Sequence, residues 1–216
     1  MLKKIAAQLP ERAQQELKRI QHGRQIKNGH FNGDEPEFFR LSEWLTPGDW
    51  CLDVGANIGH YARAMSDLVG AQGRVIAFEP MSNTFELLAA NAARFQYQNV
   101  TLVNAAVSSA TGIVSMGLPT FNTGLNNYYR AQIGAGDIQA LALSIDSLNL
   151  NNRVSLIKID VEGHELQAIR GMVNLIENFS PILIVEDEDP EVELLLNGYG
   201  YKYSRANGSP NRVFTK

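Results

Sequence analysis

Several things are scarce in this chain of 216 residues, and each absence closes off a class of function. It has one cysteine, Cys51, set between Trp50 and Leu52 in a strand-like run. An internal disulfide and a cysteine-built zinc site are therefore excluded, and a small buried core residue is expected at that position. No run of lysine or arginine goes beyond Lys3-Lys4, and 19 basic residues stand against 23 acidic ones, for a formal net charge of -4. Nothing there resembles the basic footprint of a nucleic-acid binder, so no nucleic acid is expected as partner. No apolar run reaches membrane-spanning length, Ile182 to Val185 included. Lys3, Lys4, Pro10, Glu11 and Arg12 interrupt the amino-terminal segment where a signal peptide would be unbroken. A cytoplasmic location is the expectation. Internal repeats and low-complexity tracts are also missing.

What the chain does have is alternation of short apolar runs with helical periodicity. Leu2, Ile5 and Leu9, then Ala13, Leu17 and Ile20, predict two short helices, the second opened by Pro10 and closed by Gly23. They form an expected helical appendage over residues 1–28, ahead of one domain over 29–216. A Gly-, Asn- and His-rich loop leads to a helix at Glu37 to Leu45, which Pro47-Gly48 ends. Strands are predicted at Trp50–Val54, Val75–Phe78, Val100–Asn104, Val154–Ile159 and Ile182–Val185. Helices follow the first, second and fourth of these: Ile58, Ala62, Met65 and Val69 up to Gly70; Phe85, Leu88, Ala92 and Phe95 with Ser82 as cap; and Leu166, Ile169, Val173 and Ile176. The stretch between the third and fourth strands shows no readable order. Tyr199 to Ser204 and Arg212 to Thr215, around Asn207-Gly208-Ser209-Pro210, suggest a terminal hairpin. The expected class is α/β: a single Rossmann-like domain with a mostly parallel sheet, helices on both faces and a carboxyl-terminal antiparallel hairpin.

Ligands of such sheets gather beyond the carboxyl ends of the strands, where Asp53, Glu79, Asn104, Asp160 and Glu186 fall. Asp53-Val54-Gly55-Ala56-Asn57-Ile58-Gly59 leaves the first strand for a helix, and Phe78-Glu79-Pro80 follows one strand later, the spacing of a nucleoside-cofactor site. The glycines do not make the G-x-G-x-x-G fingerprint of a nicotinamide enzyme. A pyrophosphate would also avoid the acidic company of Asp53, Asp160, Glu162 and Glu186, whereas the sulfonium and ammonium of S-adenosylmethionine favour it. The expected contacts are Asp53 to the amino end of the methionine and the amides around Ala56 to Gly59 to its carboxylate. Glu79 beside Pro80 takes the ribose, and Asn104-Ala105 the adenine. Asn57 serves as a contact, or else as a turn residue and helix cap.

The second cluster is Lys158-Ile159-Asp160-Val161-Glu162-Gly163-His164-Glu165. Continued strand alternation would bring Asp160 and Glu162 to one side, and Gly163 permits the turn into a helix. At the helix start His164 would be kept neutral, as a general base must be, while Glu165 complements the dipole. Asp160, Glu162, His164 and Glu186 are the catalytic candidates. Asp160, Glu162 and Glu186 offer oxygens that suit a divalent cation such as magnesium, but no metal site is assigned.

These three segments, in this order, resemble the FkbM-type family of S-adenosylmethionine-dependent methyltransferases. The similarity runs from about residue 30 to residue 187, and the segment from Lys158 to Glu165 is its most distinctive part. The resemblance implies a class I methyltransferase fold with a seven-stranded sheet, and methyl transfer to oxygen on a sugar or another small hydroxylated metabolite by in-line displacement. It also implies that the position of His164 varies. The segments before Gly23 and from Gly117 to Gln139 match the family poorly. Asn122 to Tyr129, polar with two aromatic rings, is a candidate lid for a carbohydrate-like acceptor. Two other readings of the residues remain open: a nicotinamide-dependent oxidoreductase, and a non-catalytic binding protein on the same fold.

Overall fold

Short strands whose two sides are both apolar need a cover on each face, and amphipathic helices between parallel strands supply it. The computed structural model describes residues 10–118, 131–134 and 136–216. Along them run α1 (Glu11–Lys27), α2 (Leu41–Trp44), β1 (Trp50–Val54), α3 (His60–Val69), β2 (Arg74–Phe78), α4 (Ser82–Ala92) and β3 (Val100–Val103). Next come β4 (Ala106–Val107), β5 (Gly112–Gly117), β6 (Gln132–Ile133) and β7 (Ile138–Leu143). The chain finishes with β8 (Val154–Ile159), α5 (Glu165–Arg170), α6 (Val173–Phe179), β9 (Ile182–Glu186), α7 (Pro190–Gly198), β10 (Lys202–Ser204) and β11 (Asn211–Thr215).

Seven strands form one sheet in the order β10-β11-β9-β8-β1-β2-β3. Neighbours from β9 to β3 are parallel, while β11 is antiparallel to both β9 and β10, so the terminal hairpin closes that edge. The unread stretch after β3 forms a second, four-stranded sheet, β4-β7-β5-β6.

Side-chain parity divides the core. Leu52 and Val54, Ile157 and Ile159, and Leu183 and Val185 enter one core under α5, α6 and α7. Cys51, Leu156 and Ile184 enter the other, with Tyr61, Ala62 and Met65 of α3 and Leu88 of α4. The period of two then sends Asp53, Lys158 and Glu186 to that second face at the carboxyl ends of their strands. Asp53 is the register partner of Lys158 on the neighbouring strand.

Some expectations differ from the structure for local reasons. The helix begun after Pro10 does not stop at Gly23 but runs to Lys27. Gly23 gives room to a neighbour instead: a Cβ there would lie 3.1 Å from Arg94 Nε. This helix packs along α4 through Gln15 Nε2, which donates to the Asn83 carbonyl at 3.3 Å, and through His22 against Asn91 at 3.2 Å. The helix expected over Leu2 to Leu9 lies outside the described residues. Ser82 is the first helical residue of α4 and makes no cap; Met81 holds the cap position. The helix expected to run from Leu166 to Ile176 is two, broken at Gly171, where a Cβ would stand 2.0 Å from the Ser108 carbonyl oxygen. Among the described residues no helix is long and apolar enough to cross a membrane.

Candidate active site

The turn after β1 is built from left-handed backbone: φ is 82° at Gly55, 51° at Asn57 and 97° at Gly59. Glycine is required at 55 because the ends of β1 and β8 nearly touch, and a Cβ would sit 1.7 Å from the Asp160 carbonyl oxygen. Asn57 is a turn residue and not a cap; Gly59 takes the cap position of α3.

Backbone amides of this turn are already committed. Gly55 and Ala56 donate to the Phe78 carbonyl at 3.0 and 2.8 Å, and Gly59 donates to Ala56 at 2.9 Å. Asn57 N donates to Glu79 Oε2 at 3.0 Å, while Met81 N donates to Glu79 Oε1 at 2.9 Å. The amides of Ala56, Asn57 and Gly59 thus already have acceptors within the protein, while Ile58, the remaining residue of the expected carboxylate site, lines an acidic cavity beside the turn. The amides of Asn57 and Met81 fix Glu79, and each of its oxygens keeps a lone pair for another donor. Ala105 lines an apolar cavity on the turn's other side, but Asn104 does not. Its Nδ2 donates to the carbonyls of Glu79 and Pro80 at 2.8 and 3.1 Å, tying the ends of β2 and β3 together.

Two cavities flank the turn and share Gly55, Asn57 and Asp160. One is walled by Met81, Ala105, Val107, Met116 and Ile133, with Glu79 and Pro80 at its side and Glu162 at its edge. The other holds Asp53, Glu35, His60, Tyr61 and Lys158, with Ala56 and Ile58. Asp53 Oδ2 and Asn57 Oδ1 are buried without a hydrogen-bond partner, a cost the protein bears unless a donor binds there.

Burial dominates the charge state. The Asp53 carboxyl is pushed up to about 7, first by burial and further by Asp160, with Lys158 and the Ala62 amide opposing. Glu79 also rises to about 7 through burial, against its two amide donors, with Asp53 and Asp160 adding. Burial and then Asp160 raise Glu186 to about 7, against Lys158, and Glu162 contributes. Three carboxyls thus have a weakened hold on their charge, Glu79 in one cavity, Asp53 in the other and Glu186 beside Asp160, which lines both, and a cation would stabilise their ionised forms.

Residues 53–203 match the methyltransferase FkbM domain family. The chain belongs to that family. It is similar to the hexuronic acid methyltransferase AglP of Haloferax volcanii, with 28% identity over 155 residues that cover 70% of this chain and 62% of that protein. Among solved structures it resembles the methyltransferase FkbM from Methylobacillus flagellatus, at 15% identity, covering 94% of this chain and 59% of that one with a TM-score of 0.55. It also resembles a SAM-dependent methyltransferase from Aquifex aeolicus, at 16% identity, covering 89% and 97% with a TM-score of 0.52. These likenesses show the class I methyltransferase fold. The chain spans 62% of the length of AglP and 59% of the length of the Methylobacillus protein.

In this FkbM methyltransferase domain the second cluster is arranged differently from a continued strand. Glu162 has a φ of 53° and Gly163 one of 92°, so alternation ends at Asp160. Asp160 and Glu162 reach the same cavity by this turn, and not by sharing a strand face. Glu165 Oε1 accepts from the amides of Val161 and Gly163 at 3.2 and 3.1 Å, closing the turn in front of its helix. His164 flanks α5, and its Nε2 meets Ser108 Oγ at 2.9 Å; neither cavity is lined by it. Burial lowers its pKa and so favours the neutral ring, yet away from the two cavities. Among the described residues no group of three or more His, Cys, Asp or Glu is placed to hold a metal ion. The cation between Asp160 and Glu186 is the chain's own: Lys158 Nζ lies 3.8 and 4.0 Å from them. Sequence reasoning passed over Lys158, although a lysine on the inward parity of a central strand is itself a signal. The candidate lid, Asn122 to Tyr129, lies outside the described residues.

Proposed function

We propose that this chain is an S-adenosylmethionine-dependent methyltransferase that methylates a hydroxyl of a sugar or a similar small metabolite by in-line displacement. The observation that carries the reading is the pairing of the two cavities across Gly55–Asn57, one apolar with a fixed carboxylate and the other acidic. That pairing suits a nucleoside on one side and a cationic amino-acid end on the other. Met81, Ala105, Val107 and Met116 would enclose the base, Glu79 the ribose hydroxyls, and Asp53 with its unpartnered oxygen the ammonium. When bound, the cofactor supplies an electrophilic methyl group. The chain's part is to align the acceptor oxygen behind that carbon, exclude water, and take up the hydroxyl proton. Asp160, which lines both cavities, and Glu186, within hydrogen-bonding reach of it, are the bases we assign; His164 is held by Ser108 and lines neither cavity.

The sugar acceptor is supported by the name of the Haloferax volcanii relative, a hexuronic acid methyltransferase. The net charge of -4 opposes a polyanionic acceptor such as RNA. The domain over 29–216, with 1–28 as an appendage to it, is kept as part of the proposal, and so is a cytoplasmic setting.

Two measurements test it. Thermal shift with S-adenosylmethionine, its demethylated product and NAD should show stabilisation by the first two. Stabilisation by NAD alone would instead indicate an oxidoreductase, and by none of them a non-catalytic binding protein. Transfer of a labelled methyl group to hexuronic acids, neutral sugars and an RNA should label the sugars; label on RNA only would overturn the acceptor assignment.

A further inference from the structure

Four side chains from four strands meet on one face of the sheet at its carboxyl rim: Asp53, Lys158, Glu186 and Asn211. Of these, Lys158 has no part in the cofactor assignments above. It is only 2% exposed, and a lysine is almost never so deep unless something holds it. Its ammonium donates to Asn211 Oδ1 at 3.0 Å. Asn211 Nδ2 in turn donates to Glu37 Oε2 at 3.3 Å, and Ser209 Oγ donates to the same oxygen at 2.8 Å. Asn211 and Glu37 are 0% and 1% exposed, so the anchor is a buried polar chain reaching from the carboxyl-terminal hairpin to the segment before α2. On its open side the ammonium faces Asp160 Oδ2 at 3.8 Å and Glu186 Oε2 at 4.0 Å. Those two carboxyls lie within hydrogen-bonding reach of each other.

We propose that Lys158 is a positioning residue: its ammonium, anchored by Asn211, holds the Asp160 and Glu186 carboxyls side by side so that one of them accepts the proton of the acceptor hydroxyl. This rests on the methyl-transfer reading. As the acceptor oxygen forms its bond to the methyl carbon, the carbon–sulfur bond breaks and its electron pair stays on sulfur. The hydroxyl proton passes to the carboxylate, so one positive and one negative charge vanish together.

The physical reason is repulsion. Two neighbouring carboxyls resist ionising together, and a fixed ammonium offsets that resistance. Other groups face the ammonium too. Asp53 stands beside it on β1, and the Tyr61 ring of α3 is 5.4 Å away. Glu35 and His60 share its cavity, Glu37 lies behind Asn211, and Glu162 acts on Glu186. With so many acidic neighbours, loss of this central cation leaves the pair protonated to higher pH.

The test uses the full chain with 13C-labelled Asp and Glu, assigned with Asp160→Asn and Glu186→Gln, and follows the carboxyl resonances against pH without ligand. Lys158→Met should raise the midpoint of the pair by a unit or more, whereas Lys158→Arg should leave it within a few tenths. The acid limb of the kcat profile should move with it, and KM for the acceptor should hold. A merely structural lysine would lower kcat at every pH and leave the limb in place. A folded Lys158→Met with an unmoved midpoint, or a Lys158→Arg that moves as far, overturns the proposal. Should Lys158→Met not fold, Asn211→Ser keeps the charge and loosens the anchor; an upward shift of a few tenths is expected, and none overturns it. A shifted midpoint in a protein that methylates no acceptor would sink the function proposed above and spare the hold of Lys158 on the pair.

Discussion

The two cavities beside the Gly55–Asn57 turn are made from different parts of the chain. The acidic one takes its chemistry from the rim of the main sheet, where Asp53 and Lys158 are register partners and Asp160 follows directly. The apolar one has Glu79 from that rim, but Met116 and Ile133 come from the four-stranded sheet inserted between β3 and β8. Charge is thus placed by strand parity in the scaffold, while part of the apolar wall is borrowed from an insertion. It follows that changes at the shared turn should damage binding of any ligand, and changes within one cavity should damage only what fits that cavity.

Gly55→Ala is expected to break both sides at once and to have the largest effect. The substitution strains a residue at φ 82° and drives a methyl group into the Asp160 carbonyl. We expect a loss of roughly 3 kcal/mol or more of stability, visible in a thermal melt, together with loss of cofactor binding. A melt within a degree or two of the wild type would show that the two strand ends can part cheaply. Glu79→Ala should be next. It frees the amides of Asn57 and Met81 and removes the carboxylate we propose for the ribose, a change of about 3 kcal/mol, or roughly 100-fold in affinity. Adenosine alone should weaken as much as the whole cofactor. Asp53→Asn, on the other side, should weaken the whole cofactor and leave adenosine unchanged; calorimetry with both ligands separates the two cavities, and equal losses in both variants would dissolve the distinction.

The comparison sharpens with pH. Asp53 and Glu79 hold their protons to about 7 in the folded chain but ionise near 4 when unfolded. Between those values the folded state binds more protons, so stability from these groups falls as pH rises from about 4 to about 7 and is flat beyond. A cationic ligand has the opposite preference, since it binds the ionised carboxyls. Its affinity should rise as pH increases through 7, with protons released on binding, and level off before its own ammonium deprotonates near 8. Calorimetry in buffers of different ionisation enthalpy reads the released protons directly. Affinity that falls from pH 6 to 7 would mean the crevice does not receive a cation.

How far the sequence could be read follows the same divide. The five parallel strands were legible because each is a short apolar run ended by a polar residue, and their parity alone sends Asp53, Lys158 and Glu186 to one face. The insertion was not legible: β4 and β6 are two residues long, and exposed Ile113, Ile138 and Leu141 blur the alternation of β5 and β7. Helix α7 was missed although Asp189 caps it and Pro190 opens it, a start signal lying in plain view. Breaks such as the one at Gly171 depend on a contact with Ser108, far along the chain, and periodicity cannot carry that information. The commitment of the Ala56, Asn57 and Gly59 amides was equally invisible, since their acceptors are Phe78, Glu79 and the turn itself.

The smallest expected effect is at His164. A histidine at a helix start next to Asp160 invites a catalytic role, but distance along the chain is not distance in the crevice. Glu186 reaches the cavities through Asp160, which lines both and lies within hydrogen-bonding reach of it. The His164 ring meets Ser108 Oγ at 2.9 Å and lines neither, so a proton it accepted would have no such path from the acceptor. His164→Ala should therefore cost about 1 kcal/mol of stability for the lost hydrogen bond and change kcat by less than about twofold. Its pH profile should keep an acid limb near 7, the value burial and Asp160 impose on Glu186. If that limb vanished in a folded His164→Ala enzyme, the proton would have to be leaving through the Ser108 side, and the assignment of Asp160 and Glu186 as bases would fall.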